Sequence, residues 1–119
     1  MRPLREVNRY AVTLLPTEDY LRWTMECPDA DPHTTLEDLR DDPTVYLVPE
    51  IEGDMDRYLR RNYKRMLADE LYAWCTDENY WPKDLSYRTF CKLFHVQLSS
   101  IVYDLASGPI DKDDRDDDE

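Results

Sequence analysis

The stretch "GDMDRYLRRNYKRMLADELYAW", Gly53–Trp74, decides the fold of this 119-residue chain. At about 100° per residue, Met55, Leu59, Tyr63, Met66, Leu67, Ala73 and Trp74 fall on one side. Arg57, Arg60, Arg61 and Lys64 fall on the other. An apolar stripe opposite a cationic one marks a helix that lies on a core and turns its charges to water. Asp56 and Arg60 have the spacing of a helical ion pair. Glu70 interrupts the pattern, because it falls in the apolar arc between Tyr63, Met66 and Trp74. A buried carboxylate is costly unless paired or protonated. Glu70 is therefore a candidate perturbed carboxylate, unless the arc opens late in the helix and lets it reach water or an arginine.

On the N-terminal side of this helix, "TVYLVPEI" reads as a strand from Thr44 to about Val48, ended by Pro49. Further back, "NRYAVTLLPT", Asn8–Thr17, reads as a buried strand ended by Pro16. Thr17 can then cap a helix through about Cys27, with Glu18 and Asp19 in its first turn and Tyr20, Trp23 and Cys27 on its apolar face. "PDADPHTT" is loop. "TTLEDLRDD" is one or two helical turns, with Thr34 and Glu37 at capping-box spacing.

On the C-terminal side, "AWCTDENYWPKD" is a polar turn rich in aromatics. Asp84 or Ser86 can cap a helix to about Phe94, with Leu85, Phe90, Leu93 and Phe94 inside. "HVQLSSIVYDLAS" reads as a last strand with a bulge near Ser99 and Ser100; a helix continuing through Leu105 is the competing reading. The expectation is a single α+β domain over residues 1–108. It has about three β-strands with a packed helical layer, in the order β-α-β-α-α-β. A disordered acidic tail is expected over residues 109–119.

Composition narrows the function classes. The net charge is −12, of which Asp111–Glu119 holds −5 with seven acids and two bases. Such a field repels nucleic acid and anionic membrane surfaces and suits cationic partners or plain solubility. Two glycines leave no material for a phosphate-cradling loop. Cys27, Cys75 and Cys91 form no Cys-x-x-Cys pair, which fits free thiols in a reducing cytoplasm. The apolar run behind Arg2 and Arg5, Ala11 to Leu15, is too short for a signal-peptide core or a membrane span.

Candidate sites follow from residue type and spacing. Tyr72, Trp74, Tyr80, Trp81, Tyr87 and Phe90 crowd one corner. Trp74 and Phe90 are expected to look inward. Tyr80 and Trp81 lie off the helical patterns and are candidate partner contacts. Arg57, Arg61 and Lys64 of the basic stripe join them. That stripe is a solvated face, a seat for the acidic tail, or a contact for an acidic partner or RNA. Cys91 and His95, four apart, would share a helical face, which suits a metal pair or an imidazole-activated thiol. No second such pair accompanies them, and Cys91 is expected to be a buried small hydrophobe. Asp29, Asp31 and His33 read as a turn rather than a metal site. No cofactor or metal is assigned.

The segments "TVYLVPE", "ELYAWCTDENYWPKD" and "TFCKLFHVQLSSIVYDL" resemble a group of small acidic uncharacterised bacterial proteins, over about Arg9 to Leu105. The Trp-Pro corner and the "VYDL" ending are its most specific pieces. The resemblance implies a bacterial cytoplasmic protein and brings no catalytic residues with it. The leading expectation is a non-enzymatic cytoplasmic module that binds another protein, not nucleic acid or a membrane. Two alternatives stand beside it. One is a small enzyme using Glu70 or Cys91 with His95. The other is an acidic nucleic-acid mimic.

Overall fold

The computed structural model of the protein describes residues 4–113. β1 (Arg9–Pro16) is the middle strand of a three-stranded antiparallel sheet. β2 (Thr44–Pro49) pairs with one side of it, Val12 opposite Tyr46, and β3 (Phe94–Ser99) with the other, Leu14 opposite Val96. This register puts Val12 and Leu14 on the same face as Val48 and Phe94, and all four are buried. The alternate residues face away. Among them Val45 is 53% and Leu47 47% exposed, so the helices cover only one side of the sheet.

Four helices make that cover: α1 (Glu18–Met25), α2 (Leu36–Arg40), α3 (Met55–Trp74) and α4 (Tyr87–Leu93). Gly53 turns the chain into α3 with φ of +98°, a left-handed conformation that side chains disfavour. The Asp54 carboxylate then accepts the Asp56 N–H at 3.0 Å. Ser86 caps α4 in the same way, accepting from the Thr89 N–H at 3.3 Å. Leu59, Tyr63, Met66, Leu67 and Leu71 form the buried face of α3. Each fully buried Leu or Phe contributes about 1.5–3 kcal/mol. A run of rings crosses the core from Tyr63 through Phe90, Phe94 and Tyr20 to Trp23, with centroids 4.9–5.8 Å apart. Pairs at this spacing add about 0.5–1.5 kcal/mol each.

The fold class is α+β, as the hydrophobic pattern indicated, and several details differ. The capping box is Thr35 with Asp38, one residue beyond Thr34 and Glu37, with reciprocal bonds of 2.9 and 3.1 Å. Thr17 stands at the start of α1, but its hydroxyl does not cap that helix. It is directed at the carbonyls of Lys92 and Leu93, at 2.6 and 3.0 Å, and so satisfies the open end of α4. Leu71, outside the expected apolar set, is fully buried, whereas Ala73 and Trp74 are exposed. Leu71 is the last α3 side chain inside the core; Ala73 and Trp74 lie beyond it and meet water. β3 ends at Ser99, and beyond it a single antiparallel bridge joins Glu6 to Tyr103. Residues 109–113 have no regular structure. The remainder of the expected disordered tail lies outside the described residues.

Candidate functional site

The outward face of α3 begins with a committed pair. Arg60 donates to Asp56 at 2.7 Å, and its guanidinium lies over the Tyr87 ring, 4.7 Å from the centroid. The Tyr87 hydroxyl donates to the other Asp56 oxygen at 2.7 Å. These hydrogen bonds, that from Tyr87 first, hold the Asp56 carboxyl below its ordinary value. Among the described residues the only other ion pair is Arg22 with Asp19. Arg57, Arg61, Lys64 and Arg65 are all exposed and enter no ion pair among the described residues. At the start of this face, Ile51, Tyr58, the cations Arg57 and Arg61 and the acids Glu52 and Asp54 border an open hollow of about 410 Å³. Tyr72 continues the same helical side and is 59% exposed.

Glu70 sits across the helix from this face and is half-buried. It accepts from the Tyr46 hydroxyl at 2.8 Å and from the Thr44 hydroxyl at 3.1 Å. Burial raises its carboxyl above the ordinary value, and the two hydroxyls pull it part of the way back. Tyr46 also donates to Asp69 at 3.0 Å. Burial, followed by the neighbouring Glu70 charge, pushes the Tyr46 phenol far up. Among the described residues no arginine pairs with Glu70; hydroxyls from β2 reach it instead. Thr44 and Tyr46 were not anticipated as its partners. The signal was their two-residue spacing with Val48, which puts all three on one side of the strand.

Cys91 and His95 do not share a helix. α4 stops at Leu93, and His95 belongs to β3, opposite Leu15. Both border an open groove of about 480 Å³ that Met55, Leu59 and Tyr87 also line. Cys91 is exposed, not a buried hydrophobe, because Phe90 and Leu93 take the inner side of α4.

The aromatic corner divides differently from expectation. Phe90 is inside. Trp74 is 41% exposed, not inward. Trp81 is extended before Pro82. Its ring is partly buried against the core, and its indole N–H donates to the Cys75 carbonyl at 2.8 Å. The Tyr80 ring is 46% exposed, while its carbonyl accepts the Trp23 indole N–H at 2.7 Å. Tyr80 and Trp74 therefore offer apolar surface at this corner, and Trp81 mainly braces it. Asp31 accepts the His33 N–H at 2.9 Å, an ordinary turn bond. Among the described residues no group of three or more His, Cys, Asp or Glu could hold a metal ion, and no helix is long and apolar enough to cross a membrane.

No protein-family model, curated protein or solved structure matches the chain.

Proposed function

We propose that this is a non-enzymatic bacterial cytoplasmic protein that binds another protein, and that the outward face of α3 is the contact surface. The observation that carries this reading is the set Arg57, Arg61, Lys64 and Arg65. Four exposed cations on one helix face carry no ion pair among the described residues, in a chain of net charge −12. Such a face selects an acidic segment by charge complementarity and steers its approach. The hollow that Ile51 and Tyr58 border with Arg57 and Arg61 is also lined by Glu52 and Asp54, so it suits an apolar side chain rather than an acid. The overall acidic field disfavours nucleic acid at the same surface.

The test is affinity capture from bacterial cytosol with wild type, with Arg61→Glu/Arg65→Glu and with Tyr80→Ala. The charge-reversed protein is expected to fold as wild type and to lose the captured partners. Wild type should lose them as salt is raised. Recovery of the same set by the charge-reversed protein would sink the assignment of this face. Loss with Tyr80→Ala alone would move the contact to the aromatic corner.

A further inference from the structure

β2 is an edge strand. β1 pairs with one side of it, and among the described residues no strand pairs with the other. The backbone N–H and C=O groups on that free side are a template for a further strand. Thr44–Val48 carries no lysine, arginine or proline to blunt the edge; Pro43 and Pro49 stand only at its ends. On one side of the edge, Val45 and Leu47 continue the bare outer face of the sheet, and both are exposed. On the other side runs α3. Thr44 and Tyr46 both reach Glu70, so β2 runs from the late part of α3 back toward its start. Tyr58, Asn62, Arg65 and Asp69 follow one another at helical spacing along one side of α3. With Tyr46, Leu47 and Val48 they line a trough of about 390 Å³ between helix and strand. Tyr58 also borders the hollow at Ile51, so the two depressions adjoin. Asp69 is the acid of the trough, and its carboxylate accepts from the Tyr46 hydroxyl at 3.0 Å. Arg65 is its cation, with Arg61 one helical turn away, and neither enters an ion pair among the described residues. The opposite edge strand, β3, has no such flank: the groove beside it is lined by Asp56 and by no lysine or arginine.

Resting on the reading of α3 as the face for an acidic partner, we propose that the free edge of β2 receives an extended segment of that partner as a fourth strand. The segment's backbone satisfies the open N–H and C=O groups of Thr44–Val48. Its side chains alternate between the two faces, as in any strand. Those on the inner side are acidic and meet Arg65 and Arg61. Those on the outer side are apolar and lie beside Val45 and Leu47. The motif recognised is therefore an alternation of acids with apolar residues rather than a run of acids. A helix laid along α3 would engage the cations but leave the edge of β2 unpaired.

The probe is a short fluorescent peptide alternating glutamate with valine, added to the full chain. Two controls accompany it: the same peptide with proline at its central valine, and a counterpart with lysine for glutamate. Anisotropy reads affinity, and NMR hydrogen exchange reads the β2 amides. The Glu-Val peptide is expected to bind, and to bind less as salt is raised or in Arg61→Glu/Arg65→Glu. Proline keeps the charge but removes a ladder hydrogen bond, and should weaken binding about tenfold. In the complex, exchange should slow at every second amide of Thr44–Val48, those on the free edge, because the amides bonded to β1 are already slow. Equal affinity of the proline peptide, or unchanged β2 exchange at saturation, overturns strand addition and leaves the α3 face standing as a charged contact. So does failure of the Glu-Val peptide to bind a chain whose captured partners are still lost on charge reversal. A dimer of the free chain in which every β2 amide is slow would give the edge to a second copy and overturn it as well. Equal binding of the Lys-Val peptide overturns both the fourth strand and the reading of α3 beneath it.

Discussion

Asp56 and Glu70 stand on one helix, and each accepts a hydrogen bond from a tyrosine hydroxyl at nearly the same distance, 2.7 Å from Tyr87 and 2.8 Å from Tyr46. Their carboxyls nevertheless shift in opposite directions. At the rim, solvent still supports the charge, so the hydroxyl and the Arg60 guanidinium add to it. Late in α3, the charge has lost much of its water, and the hydroxyls recover only part of that loss. For these two carboxyls, a tyrosine bond of nearly the same length goes with opposite shifts, because burial leads at Glu70 and the Tyr87 and Arg60 hydrogen bonds lead at Asp56.

Substitutions can break this contrast or sharpen it. The largest effect belongs to the interior end. Leu71 is fully buried beside Glu70, and Leu71→Ala is expected to destabilise by about 2–5 kcal/mol in urea denaturation. A loss below about 1 kcal/mol would mean that this end is not closed to water, removing the basis of the contrast. Tyr46→Phe comes next. It deprives Glu70 and Asp69 of a shared donor and should destabilise by about 1–2 kcal/mol near neutral pH. The loss should shrink on acidification, because a protonated Glu70 needs that donor less.

The direction of the pH effect follows from the raised carboxyl. The ionisation penalty of Glu70 is absent below the ordinary glutamate value and complete above the raised folded value. In that window wild type loses stability from this group as pH rises. Glu70→Gln should remove that fall, and stability curves measured against pH that stay parallel would contradict it. The smallest effect belongs to the rim. In Tyr87→Phe the Asp56 carboxyl should return toward its ordinary value, as read by NMR titration. Folding stability should hardly change, since exposed pairs of this kind contribute little. Whatever stability Asp56 supplies is present above the ordinary value and is lost as pH falls through the depressed one.

Much of the architecture was legible because its signals are local. Pro16 and Pro49 close β1 and β2, Ser86 starts α4, and the arginine side of α3 was visible from spacing alone. The errors arise where local rules allow two answers or long-range contacts decide. Thr34 with Glu37 and Thr35 with Asp38 both satisfy the capping spacing, and only the backbone at Thr35 chooses. A helical projection shows direction but not how far the core reaches along the axis. That is why Trp74 was misplaced and Leu71 missed. At the candidate site, the exposed cations of α3 were readable, but Thr44 and Tyr46 were not, because they reach Glu70 from a strand across the fold.

The strand order also has a consequence for how the chain is made. β1 occupies the centre of the sheet, yet it is the first strand to leave the ribosome, and β3 is the last. At the usual ~5–20 residues per second, β1 waits about 4–17 s for that neighbour. During synthesis one edge of the central strand therefore stays open, with Leu14 and Val12 uncovered on that side, and the sheet closes only once Ser99 is free. A central strand left open on one edge is the part of a nascent sheet most exposed to pairing with strands of other chains.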